Sequence, residues 1–471
     1  MMASITGVPA PAGTARPAAR QTVTKSPPSS GLRLPRVGTS VALTVAVLAS
    51  SAPALLPRPA VTQALSTGVS MAIALAVAWS ARWALRTHRH SRFRAQAWAA
   101  GVGTMIALGA VYSNVMWQNT LRLAMGSPTV DWRYAIDVVG GASCVALALW
   151  GIGLGALKLC NALGVARSIG LIVIVGVLSY AVAVPALWSA MSSSFAASNS
   201  ALDETVTAPV AQTRSGSPNS LVPWRTLGRE GRKFVSGGLD PRAARIYVGL
   251  DSAPTLEQRV NMAVADMERA EAFARDVVVV AIPTGSGWVD ENAVTGAEHA
   301  FGGSVATVAV QYSNKPSWAT FLFAEDDARR SADAVVDAIA ARAATEATPP
   351  KIVVYGQSLG SVAGSDAYLT HRNTNPLICG AVWAGPPAGA VNTEGATVLA
   401  NSSDPVVRWS AQLLWSAPSP VTTRHDAPTP MWLPLVSFVQ TSIDLAAALD
   451  VDAGHGHRYG TDQGTSMPRC R

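Results

Sequence analysis

Charge is scarce in this 471-residue chain: Asp, Glu, Lys and Arg together make up 14% of it, against roughly a quarter in a typical soluble domain. A large part of the chain therefore does not face water. The shortage is local. From about residue 37 to 192 acidic side chains nearly vanish, Asp131 and Asp137 being the exceptions, and beyond Ala201 carboxylates and arginines return. Cysteine is rare too. The four present, Cys144, Cys160, Cys379 and Cys470, have neither metal-ligand spacing nor the density of a disulfide framework, which argues against a zinc site and a disulfide-stapled scaffold. Cys144 and Cys160 lie in or beside apolar runs and read as small buried hydrophobes. The formal charge of +7 does not point to nucleic acid, because much of the excess sits in the N-terminal tail and in one short loop between apolar runs.

A chain of this length holds two units, and the change in composition puts the boundary near residue 200. Residues 1–36 are rich in Pro, Ala, Ser and Thr and carry Arg16, Arg20, Lys25, Arg33 and Arg36, the composition of a disordered basic tail. Five apolar stretches follow, at 37–56, 61–82, 96–117, 136–157 and 168–190, each close to the ~20 residues a helix needs to cross a bilayer. In hydrocarbon every backbone polar group must be bonded within its own segment, so such runs become helices. An all-α transmembrane helix bundle of about five spans is expected over 37–192. The first span is the weakest, and a count of four is the alternative. Arg82, Arg86, Arg89, Arg92 and Arg94 follow the second span, and Lys158 and Arg167 follow the fourth. Basic loops are retained on the cytoplasmic side, so the chain after Ser192 is expected outside the cell membrane, even if the first span is cleaved as a signal at Ser51-Ala52-Pro53-Ala54. Residues 193–223, rich in Ser, Ala, Thr and Pro, read as a flexible linker.

Over 224–471 short β-branched runs alternate with amphipathic stretches, the pattern of a mostly parallel sheet flanked by helices. Candidate strands are Arg245–Leu250, Val277–Pro283, Val305–Tyr312, Lys351–Gly356 and Ile378–Ala384, with weaker ones near Thr397–Ala400 and Met431–Val436. Helical spacing marks Leu256–Arg275 and Ala324–Ala344. Lys351–Gly356 runs straight into Gly356-Gln357-Ser358-Leu359-Gly360. A Gly-x-Ser-x-Gly bend between a buried strand and a helix lifts the serine hydroxyl above the sheet edge, and its glycines let strand and helix approach. Ser358 is thus the candidate nucleophile.

A serine needs an imidazole to take its proton and a carboxylate to orient that imidazole. In the order Ser, acid, His, Asp404 follows a predicted strand at Asn401-Ser-Ser-Asp404-Pro405, ahead of its rivals Asp444 and Asp450. Two of the seven histidines, His455 and His457, stand on the glycine-rich loop Gly454–Gly460. Periodicity does not choose between them; His457 is taken as the base and His455 as its supporting partner. For the oxyanion hole the candidates are the Leu359 amide and the loop after the second strand, Pro283–Trp288, with Thr284 and Gly285. No metal or cofactor is expected.

Seven segments then carry a resemblance: 227–235, 283–289, Val310–Trp318, Gly356–Gly360, Trp383–Pro387, Ser403–Pro405 and Gly454–Tyr459. In these the chain resembles the multi-pass membrane α/β-hydrolases of actinobacteria, whose catalytic domain follows a block of transmembrane helices. The likeness covers nearly the whole chain. It departs at Gln357, where the family usually has Glu, and at Gly303-Ser304, where it usually has Gly-Asp. The resemblance implies an α/β-hydrolase fold, a serine triad and a membrane location. From these follows the expectation of a membrane-anchored serine hydrolase, esterase- or lipase-like, whose partners are the bilayer and a lipid or cell-envelope ester. The alternatives are an acyltransferase with the same triad, or a non-catalytic envelope protein that binds a lipid or a partner.

Overall fold

The computed structural model describes residues 7, 34–85, 93–238, 240–316, 320, 325–418 and 424–470. Residues 1–6 and 8–33 of the basic tail, the loop residues Arg86, Arg89 and Arg92, and Trp318 lie outside the described residues. Helices Val37–Ser50, Ala60–Ala84, Phe93–Ala124, Trp132–Leu163 and Val165–Ser200 form the N-terminal block, and the last four are long and apolar enough to cross a membrane. The first is shorter than its apolar run. It stops at Ser50, since Pro53, Pro57 and Pro59 lack the N–H groups that would continue it. Ala60–Ala84 and Trp132–Leu163 pack very closely: a Cβ on Gly68 would stand 2.6 Å from Val145 Cβ, and one on Gly141 would stand 2.9 Å from Ala64 Cβ. The last helix widens into a π turn at Ser179–Ala183 just before Pro185, the usual place for such a turn because proline cannot complete the i to i−4 ladder.

The helix ends sort onto two sides. The C-terminal ends of the first and third helices and the N-terminal end of the second meet where Arg122 donates to the Arg58 carbonyl at 2.9 Å and Trp117 to the Ala54 carbonyl at 2.8 Å. The fifth helix ends on the sheet domain, where Gln311 donates to Asn199 at 3.0 Å. Arg82, Arg94, Lys158 and Arg167 belong to the opposite helix ends.

Six parallel strands follow: β1 (Ala244–Val248), β2 (Val277–Ile282), β3 (Val305–Val310), β4 (Lys351–Gln357), β5 (Ile378–Ala384) and β6 (Ala396–Leu399), in the spatial order β1-β3-β2-β4-β5-β6. β1 and the valine-rich β2 and β3 are buried along their whole length, as expected of a parallel sheet covered on both faces. Helices Leu256–Arg269, Glu325–Ala343 and Leu359–Arg372 cover it through Met267, Ile339 and Ala363.

Two expectations are corrected. Met431–Val436 is not a strand but a turn leading into helix Val436–Asp444, because Pro434 cannot donate to a ladder; Leu433 and Val436 border the N-terminal helices instead. Residues 193–223 are not a free linker. The fifth helix continues to Ser200, and the segment beyond it is bonded to β1: Ser215 N–H donates to the Arg245 carbonyl and Arg245 N–H to the Thr213 carbonyl, each at 3.0 Å. The Ser215 hydroxyl donates to Asp266 at 2.6 Å.

Candidate active site

The C-terminal end of β4 turns sharply into helix Leu359–Arg372, and Ser358 occupies the bend at φ 53, ψ −124. A non-glycine residue held there is strained by about 1–3 kcal/mol and persists only where its surroundings enforce it. The glycines on either side do the enforcing. A Cβ on Gly356 would lie 2.4 Å from the Gly360 carbonyl carbon, and one on Gly360 would lie 2.2 Å from the Ile282 carbonyl oxygen. The same contact brings the loop after β2 against the bend. Leu359 opens the helix, so its N–H has no carbonyl one turn back to bond.

Asp404 lies just past β6 as the N-cap of the short helix Pro405–Arg408 and is fully buried. One oxygen accepts from Val406 N–H at 2.8 Å. The other accepts from Tyr459 Oη at 2.7 Å and faces His457 Nδ1 at 2.8 Å. Burial, reinforced by the Asp404 charge, pushes the Tyr459 phenol well above its ordinary value, so it stays a donor.

His457 sits on a tight turn in which Gly454 N–H donates to the Arg458 carbonyl at 2.7 Å and Arg458 N–H donates to the His455 carbonyl at 3.0 Å. Gly454 and Gly456 take φ of 98 and 51, values that favour glycine. The turn brings the imidazole beside Gly385, the residue after the one whose carbonyl accepts from Ser358 N–H. Ser358 N–H donates to the Ala384 carbonyl at 3.0 Å, and a Cβ on the next residue, Gly385, would stand 2.7 Å from His457 Cε1. Among the described residues the Ser358 hydroxyl makes no hydrogen bond of its own, while its carbonyl accepts from Ser361 at 2.5 Å.

His455 is not arranged as a partner of His457. Its Nδ1 faces Asp426 at 3.1 Å, and Asp426 also accepts from the Ser402 hydroxyl at 3.0 Å and from Ser403 N–H at 3.1 Å. The loop thus carries two separate His–Asp pairs. In the 283–288 loop, Thr284 N–H already donates to the Trp288 carbonyl at 3.0 Å. The Gly285 amide makes no such bond among the described residues, and Gly285 packs against the buried Thr320, whose Oγ1 a Cβ there would approach to 2.3 Å.

Four residues at or behind the site, Gln357, Tyr459, Cys379 and Cys470, carried no assigned role in the sequence. Gln357 donates to the His457 carbonyl at 3.1 Å, fixing the histidine loop to the residue beside the nucleophile. Tyr459 stood in a quoted motif, but nothing in its spacing gave it a partner. Cys379 in β5 and Cys470 form a disulfide, Cα to Cα 5.9 Å across 91 residues, which ties the tail beyond His457 to the sheet. Behind these, Tyr355 donates to Gln463 at 2.6 Å and Gln463 to Asp290 at 2.9 Å. Burial raises the Asp290 carboxyl above its ordinary value.

Among the described residues no cluster of three or more His, Cys, Asp or Glu has the arrangement to hold a metal ion. No curated protein and no solved structure matches the chain. Residues 244–398 and 392–467 match the model of an alpha/beta-hydrolase family, and residues 52–238 match that of the same family's N-terminus. The parallel sheet and the helical block before it agree with that match in architecture, and the chain belongs to this alpha/beta-hydrolase family.

Proposed function

We propose that the chain is a membrane-anchored serine hydrolase acting on esters of lipid or cell-envelope molecules, with Ser358 as nucleophile, His457 as base and Asp404 as the acid that orients it. The observation that carries the reading is the pairing of a strained serine bend with a buried His457–Asp404 contact of 2.8 Å. Asp404 accepts from His457 Nδ1–H and leaves Nε2 free to take the Ser358 proton. Ser358 Oγ attacks the ester carbonyl carbon and its proton passes to His457. The tetrahedral oxyanion is met by the Leu359 and Gly285 amides, with the Thr284 amide engaged in shaping the loop. Collapse expels the alcohol, which takes the proton from His457. Water then attacks the acyl-enzyme by the same route in reverse, and an alcohol in its place gives acyl transfer.

The catalytic domain is assigned to the extracytoplasmic side. It lies at the helix ends opposite Arg82, Arg94, Lys158 and Arg167, and basic loops are kept inside. The long helices from Ala60 to Ser200 begin and end on the domain's side, so this orientation does not depend on whether the short first helix crosses. The Cys379–Cys470 disulfide fits an oxidising compartment.

The test is a membrane-impermeant fluorophosphonate applied to intact cells. Wild type is expected to label and Ser358→Ala not to label. Folded wild-type protein that stays unlabelled in cells and in detergent overturns the hydrolase reading; labelling after lysis alone overturns the orientation.

A further inference from the structure

A groove of about 640 Å³ runs along the junction between the membrane block and the catalytic domain, within the roughly 300–1,000 Å³ of small-molecule sites. Val45 and Leu48 of the first helix form one wall, Ile106 and Ala110 of the third helix another, and Leu433 and Val436 of the catalytic half close the end. The third helix is one of the four long enough to cross a bilayer. Val45, Leu48 and Ile106 are 56%, 45% and 43% exposed, so in a membrane the medium against this face is hydrocarbon, and the chemistry that fills an apolar groove there is an alkyl chain.

The catalytic half is shaped for that position. Trp415, Met431, Leu433, Leu435, Val439 and Leu449 are exposed, and all lie between residues 415 and 449. Leu435 is held at φ 63, with its N–H donating to the Leu414 carbonyl at 3.0 Å. A second, small cavity of about 30 Å³ shares Pro53 with the groove and is also lined by Arg408, four residues after Asp404. Arg408 makes no ion pair among the described residues; its Nε donates to the Ser402 carbonyl at 2.9 Å. The groove and this cavity thus meet at Pro53, and the cavity borders the segment that carries the acid of the proposed triad.

We propose that this groove takes the acyl chain of a bilayer lipid ester and so selects long-chain, membrane-held substrates for Ser358, an inference that rests on the hydrolase reading above.

The test uses the full chain reconstituted in phosphatidylcholine vesicles that contain a lipid with a photoactivatable palmitoyl chain, together with p-nitrophenyl esters from butyrate to palmitate. Crosslinks are expected on residues 45–53, 106–113 and 433–436. Ala110→Phe, which fills the groove, is expected to lower the palmitate-to-butyrate ratio of kcat/KM at least tenfold while butyrate turnover and fluorophosphonate labelling of Ser358 persist. Leu433→Ser, on the other wall, gives the same readout if the phenylalanine variant does not fold. An unchanged ratio in a variant that still labels overturns the inference and leaves the hydrolase reading standing, even where crosslinks form. Wild-type protein that crosslinks but never labels at Ser358 overturns the hydrolase reading and the substrate role with it.

Discussion

Arg58 and Asp444, 386 residues apart, form a buried ion pair at 2.8 Å that joins the membrane block to the catalytic domain. Arg58 also donates to the Gln440 carbonyl at 2.9 Å, and its own N–H donates to Gln118 at 2.7 Å; Leu55 N–H donates to Asp444 at 2.8 Å. Leu121 of the third helix and Leu55, Leu56 and Met125 of the connections beside it pack with Ala427 and partly buried Val451. The membrane block thus also packs against the loop of His455 and His457, Leu56 lying 3.3 Å from where a Cβ on Gly456 would be.

Removing one partner leaves the other charge buried without compensation, a loss of about 3–5 kcal/mol, whereas replacing both by apolar groups is far milder. Arg58→Ala is expected to lower the unfolding temperature of the detergent-solubilised protein markedly. Arg58→Met combined with Asp444→Leu is expected to recover much of that loss. Unfolding of the single variant at the wild-type temperature would contradict a joint of this kind.

A second prediction concerns Gln357, whose amide is the bridge between the nucleophile's strand and the His457 carbonyl. Gln357→Leu leaves that buried carbonyl unpaired, at about 1–3 kcal/mol, and fluorophosphonate labelling of Ser358 should slow by roughly five- to a hundredfold by the same figure. Gln357→Glu can donate only while protonated. Its labelling rate relative to wild type should therefore fall as pH rises, and a ratio flat with pH would show that the bridge does not position the base.

Much of this arrangement was legible because local chemistry dictated it. β1 to β5 announce themselves as short β-branched runs, and the Gly-Gln-Ser-Leu-Gly bend needs glycines wherever a strand and a helix meet so closely. What escaped depends on partners remote in sequence. His455 and His457 are two residues apart on a glycine loop with no periodicity, and Asp404 and Asp426, which separate them in space, lie far upstream. The Ser/Thr/Pro composition of 193–223 gives no hint that Ser215 and Thr213 bond to Arg245. The Met431–Val436 run has strand-like hydrophobicity, but Leu433 and Val436 of it border the N-terminal helices, while Met431 and Leu435 stay exposed.

Asp290 makes a pH prediction. Burial raises its folded carboxyl above the unfolded value, so the native state binds the extra proton between the two. Its contribution to stability is present below the ordinary aspartate value, about pH 4, and is lost as pH rises through the raised folded value. Asp290→Asn cannot ionise and keeps an acceptor for Asn292 N–H, which Asp290 now bonds at 2.9 Å. Unfolding temperatures measured across that range should decline less steeply in the variant. An identical slope would mean that Asp290 titrates in the folded protein as it does unfolded.

The two histidines separate catalysis from support. His457 Nδ1 faces an aspartate that is fully buried and also held by Val406 N–H and Tyr459, whereas His455 is partly exposed beside an aspartate that keeps its serine donors without it. His457→Ala should therefore abolish labelling, since loss of the base in such a triad costs several orders of magnitude in rate. His455→Ala should stay within about tenfold of wild type and lose on the order of 1 kcal/mol of stability, as for a partly exposed pair. If instead His455→Ala silenced Ser358 and His457→Ala did not, the base would be the ring on Asp426. The turn at Gly456 would then have to rotate by one residue pair to deliver it, with Asn401 releasing the Gly456 carbonyl it now bonds at 2.9 Å.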